Sequence, residues 1–359
     1  RDDTQISRLL KYNIKEQDIN LFLRAWNQMN NTKECIYVGY DSTNFNTNAY
    51  GIELADYGHP KVDEGLPQYN LAYAVNQKDS TPLFYELYDG SVIDNTELEI
   101  MLEEAKEYGH EKLGVLMDRG YISEKNIKAL RTKGYEYILM MKQNQRICQE
   151  IIEEYGAAVQ SLEGYYIGEH GVYGTTVKKQ LYGQETNIHV YYDDIRASEE
   201  KVALMSRYET WEKEIEKKVA KRIATEGEMK KYRKVFKLKY DQNGYLVAYQ
   251  RNSRYIKEEI RNLGFFFIIT SEEMSASKAL DIYRGRDNIE KMFRSLKSGI
   301  DFNKARVHTT ESLKSKVFVT FIAMIVRNEL FQKAEELRKK NRKAYTVPGM
   351  ISELENIEE

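Results

Sequence analysis

Two buried-strand segments that each run into an aspartate constrain the fold more than any other feature of this sequence. The segment CIYVGYDSTNF predicts a strand from Cys35 to Tyr40 that ends at Asp41, and KLGVLMDRGY predicts a short strand that ends at Asp118. Acids at these positions stand where loops begin, and α/β folds place their chemistry at the ends of strands. Each aspartate taken alone is more often a turn former or a helix cap. Together they predict a sheet edge that carries two carboxylates.

The order of the other segments predicts a mixed α/β sheet flanked by helices. YNLAYAVNQ and TPLFYELYDG have the residue types of two strands separated by a polar turn, and YEYILMMK and GFFFIIT have those of two further buried strands. DNTELEIMLEEAKEYG and SEKNIKALRTKG predict capped helices, and a long apolar helix is predicted from about Glu311 to Leu337. A meander of strands followed by alternating strands and helices is the order expected of a mixed sheet.

The composition of the chain changes after Lys142. Residues 143–262 are rich in Tyr, Lys and Glu and contain two predicted hairpins, GYYIGEHGVYGTTVKKQLYG and, around an Asn-Gly turn, FKLKYDQNGYLVAYQ. A charged helix is predicted between them, over roughly 198 to 222, so we predict that this stretch is an inserted lobe. The complete predicted division is an N-terminal helical segment at 1–32, a first part of the core at 33–142, the insertion lobe at 143–262, a second part of the core at 263–340 and a C-terminal tail at 341–359.

Composition excludes several classes of protein. The 359 residues are 42% hydrophobic, enough for a large core, and the longest apolar runs are far shorter than the roughly 20 residues needed to span a membrane. Cys35 and Cys148 have no paired spacing, which favours a reducing compartment and argues against a structural zinc site. The chain opens on RDDTQISRLLKYN, without Met and without a signal peptide, so we expect a fragment of a cytoplasmic protein whose N-terminal portion is missing.

The positive charge of the chain is local. The formal net charge is −2, but the segment 212–240 holds eleven Lys and Arg against five acids, and the segment 283–297 holds five against two. Such asymmetry suits a phosphate backbone, although amphipathic surface helices produce it too. We expect any nucleic-acid partner to contact these two segments.

A third acid lies in the segment YRGRDNIEKMFRSLKS, residues 283–298. On one unbroken helix, Tyr283, Arg286, Glu290 and Lys297 would fall within roughly 60° of one another, beside an apolar stripe. The simplest interpretation is a solvated charged face. However, three convergent carboxylates with no His or Cys nearby favour hard cations such as Mg²⁺ or Mn²⁺. Two such ions about 3.5–4 Å apart stabilise the attacking and the leaving oxygen of a phosphodiester displacement.

The spacing of these four residues also carries a resemblance. They match without a slip the Y-x2-R-x3-E-x6-K signature of bacterial insertion-sequence DDE transposases. DSTNF resembles the first acidic motif of that family, LMDRGYIS resembles its second, and ELYDGSVIDNTEL resembles a segment between them. The resemblance covers roughly residues 35–142 and 264–337. It implies a ribonuclease H-like catalytic core in which a β-rich insertion separates the second aspartate from the glutamate.

The resemblance implies a role for each matching residue. Asp41, Asp118 and Glu290 would be the catalytic carboxylates and the ligands of two Mg²⁺ or Mn²⁺ ions. DNA contacts near the cleaved end are expected from four positions of the signature segment, namely Tyr283, Arg286, Arg294 and Lys297.

Trp211, beside the basic run at 212–240, is a further candidate for DNA contact. Transposases of this kind can stack a base that is extruded from the duplex on an aromatic side chain. Core packing is the commoner role of such a tryptophan, and both interpretations stay open at the level of sequence.

The function that the resemblance implies is DNA transposition, by metal-dependent cleavage at the transposon ends and transfer of the freed 3′ hydroxyl into target DNA. The implied partners are double-stranded DNA and further copies of the chain, as a homodimer or higher multimer on DNA, in the bacterial cytoplasm and at the nucleoid. Residues 1–32 would be the remainder of a truncated DNA-binding region. Three alternatives stay open: a domesticated relative that binds DNA without transposing it, another ribonuclease H-like metal-dependent nuclease, and a non-enzymatic scaffold.

Overall fold

The structure is a computed structural model that describes residues 3–31, 35–58, 65–92, 94–110, 112–117, 119–161, 163–221, 227–287, 306–341 and 346–355. For a few residues inside these ranges, Asp41 among them, the description covers the backbone but not the side chain.

Most predicted elements are present with the predicted type. The described strands are β1 Ile36–Asn46, β2 Gln68–Asn76, β3 Pro82–Asp89, β4 Leu113–Met117, β5 Glu136–Met140, β6 Tyr166–Ile167, β7 Val172–Leu181, β8 Gln184–Tyr192, β9 Phe236–Tyr240, β10 Leu246–Arg251 and β11 Phe265–Thr270. The described helices are α1 Asp3–Arg8, α2 Glu16–Asn30, α3 Asp94–Glu107, α4 Glu124–Thr132, α5 Arg146–Ser161, α6 Asp194–Lys221, α7 Ser253–Asn262, α8 Ala276–Arg284, α9 Thr310–Asn341 and α10 Val347–Glu355. No helix within the described ranges is both long enough and apolar enough to cross a membrane.

Nine of the described strands form one mixed sheet. Their order is β3-β2-β1-β4-β5-β11-β8-β7-β6, so β1 lies between β2 and β4. β1 runs antiparallel to β2 and parallel to β4, and β4 runs parallel to β5. The predicted fold class is confirmed as a mixed α/β sheet flanked by helices.

β1 is longer than the sequence predicted. The prediction that this strand ends at Asp41 is wrong, because β1 continues to Asn46 and Asp41 pairs with Tyr73 in the middle of its ladder with β2. The run after Asp41 is polar and was interpreted as a loop. This run continues the ladder with β2, however, so polar side chains can be buried inside the strand. The buried polar residues of this run are Ser42, Thr43 and Asn44.

α8 packs on one face of the sheet, over the strands that follow β1 in the spatial order. Leu280 and Tyr283 of α8 are buried in one cluster with Leu116 of β4 and Ile138 of β5. Tyr37 of β1 packs against the same cluster. Because side chains alternate along a strand, residues 37 and 41 of β1 belong to this face.

α9 packs on the same face, over β2 and β3. Its Phe321 ring is fully buried and lies 6.1 Å from the ring of Tyr73 and 5.2 Å from that of Tyr85, measured between ring centroids. Tyr73 is the residue of β2 that pairs with Asp41, and directly paired residues share a face. On this face of the sheet, α8 covers β4 and β5, and α9 covers β2 and β3. Residue 41 of β1 therefore has its position between the two helices.

The predicted insertion, 143–262, contributes to two different cores. β7 and β8 join the main sheet, since β8 pairs with β11. By contrast α6, α7 and the β9–β10 hairpin surround a separate apolar cluster that includes Tyr208, Tyr232 and Phe236. The Asn-Gly turn of this hairpin is present, with Gly244 at φ 79°, in the left-handed region that glycine tolerates. The division of the chain at 33, 143, 263 and 341 stays a prediction.

Replacing Phe321 with Ala should lower the free energy of unfolding by about 3–5 kcal/mol, because a buried ring would be exchanged for a cavity against two tyrosines. Val319→Ala is the matched control on the same helix. Its side chain is 44% exposed, and the change should stay within about 0.5 kcal/mol. Urea unfolding followed by circular dichroism would measure both, and equal effects of the two substitutions would show that Phe321 does not anchor α9.

Candidate functional site

The two predicted acids of the strands lie on neighbouring strands. Gly39 of β1 pairs in parallel with Leu116 of β4, and Asp41 follows two residues later in β1. β4 ends at Met117, directly before Asp118 in the sequence. Asp118 lies outside the described residues, as do Glu290, Arg294 and Lys297 of the signature segment. The convergence of the three carboxylates therefore stays a prediction.

α8 is held firmly at its N-terminal end. The side chain of Ser275 caps the helix by accepting a hydrogen bond from the backbone N–H of Lys278 at 3.2 Å. The hydroxyl of the buried Tyr191, near the end of β8, donates to the carbonyl of Ala276 at 2.7 Å. Capping and the buried hydroxyl together fix where this helix starts on the sheet.

The signature helix differs from its prediction. An unbroken helix from 283 to 298 was expected, but the described helix begins at Ala276 and ends at Arg284. The backbone N–H groups of Gly285 and Arg286 donate to carbonyls three residues earlier, at 3.1 and 3.0 Å, so the chain tightens into a 3₁₀-like turn. Gly285 lies against the Gln77 side chain, and a Cβ at residue 285 would come within 2.2 Å of Cγ of Gln77. Residues 288–305 lie outside the described part of the chain.

Tyr283 and Arg286 are the two signature residues that the structure describes, and it brings them together. Side chains three apart eclipse one another in a 3₁₀ turn. The guanidinium carbon of Arg286 accordingly lies 5.7 Å from the centroid of the Tyr283 ring, within the range of a cation–π contact. Tyr283 itself is only 6% exposed, so its ring belongs to the core, and the Arg286 side chain packs on it. Their contact with DNA stays a prediction.

The first turn of α9 is fixed beyond the C-terminal end of β1. The N–H of Thr310 donates to the carbonyl of Gly51 at 3.2 Å, and the N–H of Glu53 donates to the Thr310 hydroxyl at 2.9 Å. Twenty-two residues later, the amide of Gln332 donates to the carbonyl of Asp79 at 2.7 Å, in the turn between β2 and β3. α9 therefore runs back along β1, from beyond its end towards its beginning.

Trp211 is half-buried in the cluster between α6 and the β9–β10 hairpin. Its ring meets Tyr232 edge-on at 5.6 Å and lies 6.0 Å from Tyr208, and the guanidinium of Arg207 lies 5.5 Å from its centroid. These contacts are those of a packing residue, the commoner of the two interpretations of this tryptophan. Stacking of an extruded base on Trp211 stays a prediction.

The acids of α6 face the hairpin. Glu212 binds Arg251, and Glu214 accepts hydrogen bonds from Lys231 at 3.2 Å and from the Tyr232 hydroxyl. The Tyr249 hydroxyl donates to Glu216 at 2.9 Å. Four exposed lysines of α6 and β9 have no ion pair with any described residue, namely Lys213, Lys217, Lys237 and Lys239. These four lysines therefore leave unpaired positive charge on the surface of this lobe, although its helix is rich in acids.

Ionisable groups of the central strands are held in their neutral forms. The Tyr37 hydroxyl donates to Oε2 of Glu136 at 2.6 Å, and burial, followed by this hydrogen bond, raises the pKa of Tyr37. Burial, reinforced by Glu136, raises the pKa of the Cys35 thiol to about 12. Burial lowers the pKa of His189 to about 4. These groups therefore supply neither a thiolate nor an effective general base near pH 7.

Sequence reasoning missed one polar cluster beside the signature segment. His170, in the turn between β6 and β7, contacts Asp281 and Arg284 on the last two turns of α8. The residues are 111 and 114 positions apart, and no local pattern signals such a contact. Only the pairing of β7 with β8 and of β8 with β11 brings the turn to α8.

The sequence from residue 38 to residue 326 matches the family model described as the transposase DDE domain. No curated protein matches the chain. The chain is similar to a cryo-EM structure of the piggyBac transposase synaptic complex with hairpin DNA, with 8% identity, a TM-score of 0.45 and coverage of 98% of this chain and 59% of that chain. It also matches the Mos1 transposase paired-end complex with the left transposon end, at 15% identity, a TM-score of 0.21 and coverage of 38% and 42%.

The chain thus spans about three fifths of the length of the piggyBac chain. The family model, in contrast, covers most of this sequence, from within β1 to the middle of α9. The chain belongs to the family of transposases that is defined by the DDE domain.

Proposed function

We propose that this protein is a DNA transposase that cleaves DNA at the ends of its element and joins the freed 3′ hydroxyl to target DNA. Asp41, Asp118 and Glu290 are its catalytic carboxylates in this proposal. The observation that carries it is the place of residue 41, in the middle of β1 and on the sheet face between α8 and α9.

The register between β1 and β4 supports the approach of Asp118 to Asp41. Since Gly39 pairs with Leu116, one further residue along each strand sets Tyr40 beside Met117. Residue 118 follows Met117 at one Cα–Cα step of about 3.8 Å, and neighbouring strands lie about 4.8 Å apart. We therefore propose that the two aspartates approach one another across adjacent strands.

The ends of α8 and α9 support the approach of Glu290. The turn after α8 lies against Gln77, whose N–H donates to the carbonyl of Tyr37 at the beginning of β1. α9 begins beside Gly51, beyond the end of β1. The chain from 288 to 305 joins these two points, which lie near opposite ends of the 11-residue strand β1. A path along β1, over the face that holds residue 41, would carry Glu290 towards the two aspartates.

The chemistry of this donor set fits hard cations. Three carboxylates offer oxygen ligands alone, and no group of three or more His, Cys, Asp or Glu side chains elsewhere among the described residues could hold a metal ion. His189 of the same sheet is engaged by the hydroxyls of Thr176 and Thr270, at 2.8 and 3.0 Å. We propose two Mg²⁺ or Mn²⁺ ions, which when bound would activate the attacking oxygen and neutralise charge on the phosphoryl group.

The cationic residues of the signature segment would hold the DNA strand. A guanidinium can grip two phosphate oxygens at once, and an ammonium acts as a point charge. Arg286 is already ordered over the Tyr283 ring, so less side-chain entropy is lost when it binds a phosphate. Lys297 and Arg294 complete the proposed phosphate contacts.

The basic outer surface of α6 and the β9–β10 hairpin supports a second DNA contact. Its acids are paired inward, and Lys237 and Lys239 stand on the outward face of β9 because residues 236, 238 and 240 face the cluster. We propose that this surface binds the phosphate backbone of double-stranded DNA. We further propose that the protein acts as a homodimer or higher multimer on paired DNA ends, in the bacterial cytoplasm.

Replacing any one of the three carboxylates by its amide, as Asp41→Asn, Asp118→Asn or Glu290→Gln, should reduce DNA cleavage by at least about a thousandfold, because an amide cannot replace the charge of a metal ligand. The substrate is a plasmid that carries the DNA flanking the gene of this chain, incubated with Mg²⁺, Mn²⁺ or EDTA. Glu273→Gln, an exposed acid after β11, is the matched control and should cleave as the wild type does.

Cuts at discrete flanking positions that need the metal and vanish in all three variants would support the carboxylate set. Cleavage that survives Glu290→Gln would refute its role. If no variant and no wild type cleaves but all bind the flanking DNA, a DNA-binding relative without transposase activity becomes the better interpretation.

Replacing Lys237 and Lys239 together with Gln should weaken DNA binding and lower the slope of log K against log salt concentration by about 1–2, since each phosphate contact contributes about 0.9. Fluorescence anisotropy with a labelled duplex from 50 to 200 mM salt measures the slope. Lys106→Gln, an exposed lysine of α3, is the control. An unchanged slope in the double variant would place the DNA elsewhere on the protein.

A further inference from the structure

We propose that His170 is a positioning residue for the reaction proposed above, on which this inference rests. It joins the β6–β7 turn to the last turn of α8, and thereby fixes the direction in which the chain leaves α8 towards Arg286 and Glu290. The Y-x2-R-x3-E-x6-K signature does not include position 170.

His170 makes two hydrogen bonds to one helix. Nε2 of its ring bonds Oδ1 of Asp281, and Nη1 of Arg284 bonds Nδ1 at 2.8 Å. The His170 side chain is 13% exposed, whereas that of Asp281 is 46% exposed. The imidazole is therefore inserted between two surface groups of α8.

The two partners fix the tautomer of the ring. A guanidinium can donate but cannot accept, so Nδ1 of His170 must be the acceptor. The ring proton then resides on Nε2 and is donated to the carboxylate of Asp281. A neutral imidazole in this tautomer satisfies both neighbours at once.

This arrangement replaces a simpler one. Asp281 and Arg284 are three residues apart on a helix, a spacing at which opposite charges commonly pair directly. A direct pair would stabilise α8 by itself but would not attach it to anything. With His170 interposed, the same two charges bind α8 to the β6–β7 turn.

The turn that carries His170 is well fixed. The N–H groups of His170 and Gly171 both donate to the carbonyl of Ile167 at 3.0 Å, and Gly171 adopts φ 65°. Ile167 packs into the cluster that contains Tyr283, and β7 pairs along its whole length with β8. His170 is therefore mounted on the main sheet and not on a free loop.

The contacts that hold α8 at both ends also position the residues that follow it. The helix is tied to β8 at its first residue through Tyr191 and to the β6–β7 turn at its last turn through His170. Arg286 lies two residues beyond Arg284, over the Tyr283 ring. A misplacement of about 1 Å in a reacting group can cost about a hundredfold in rate, so loss of the second tie should lower turnover and leave DNA affinity nearly unchanged.

Three substitutions of His170 separate its two bonds. His170→Phe keeps the ring and removes both bonds, His170→Asn keeps an acceptor near Nδ1, and His170→Gln keeps a donor near Nε2. We expect His170→Phe to lower kcat for plasmid cleavage by about ten- to a hundredfold while KM for DNA changes less than about twofold. His170→Asn and His170→Gln should each recover part of the loss. Glu169→Gln, an exposed neighbour in the same turn, is the control and should behave as the wild type.

Two further readouts do not depend on cleavage. Amide hydrogen exchange of residues 276–286 should become faster in His170→Phe while that of β7 and β8 stays unchanged, and the ¹⁵N shifts of His170 in the wild type should show the Nε2–H tautomer. Unchanged hydrogen exchange in α8, or the Nδ1–H tautomer of His170, would overturn the proposal. Both measurements can be made even if the wild type does not cleave DNA, and a lack of cleavage would count against the proposed function alone.

If His170→Phe fails to fold, the variants Asp281→Asn and Arg284→Gln test the proposal in its place. A lower kcat with an unchanged melting temperature supports the role of His170, and wild-type kcat in both refutes it.

Discussion

The pairing of β1 with β2 on one side and with β4 on the other is the constraint on which the rest of the structure depends. It continues from Val38 to the end of β1 on the β2 side, through a run of polar residues that would otherwise form a loop. Because that run stays in the ladder with β2, the strand can hold buried polar side chains and still keep its register. A carboxylate at residue 41 is thereby set in the middle of a rigid sheet instead of on a mobile loop.

Both helices that flank the signature segment depend on this strand. α8 packs over Leu116 and Tyr37 on one side of residue 41, and α9 packs through Phe321 on Tyr73, the partner of residue 41. Near one end of β1 the turn after α8 lies against the Gln77 side chain, and beyond the other end α9 begins with a backbone hydrogen bond to Gly51. The packing of these two helices thus fixes where the segment between them starts and finishes.

Local patterns predicted the element types well and long-range geometry poorly. Apolar runs and capping residues were enough to predict the strands of the core, α4 and the Asn-Gly hairpin, because burial patterns and turn geometry depend on residues that are neighbours in the sequence. The extension of β1 beyond Asp41 was not predictable in this way, since it depends on β2 as a partner for polar residues. The break after Arg284 had no local signal, and neither had the contact of His170 with α8, which depends on the pairing of β7 with β8 and of β8 with β11. The carboxylate set came from motif spacing, and the described geometry adds the face on which its first member lies.

The charge distribution of the lobe explains how an overall acidic protein can offer DNA a basic surface. Glu212, Glu214 and Glu216 lie on the side of α6 that meets the hairpin, where an arginine, a lysine and two tyrosine hydroxyls bind them. Arg251 and Lys231 offset the charges of Glu212 and Glu214, whereas the Tyr249 hydroxyl binds Glu216 without offsetting its charge. The net charge of −2 therefore says little about the field that a DNA strand would meet, because that field is set by which charges are paired within the fold and which remain exposed at distances shorter than the screening length of about 8–10 Å. The same reasoning applies to the end of α8, where Asp281 is engaged by a neutral imidazole and the guanidinium of Arg284 keeps its exposed donors.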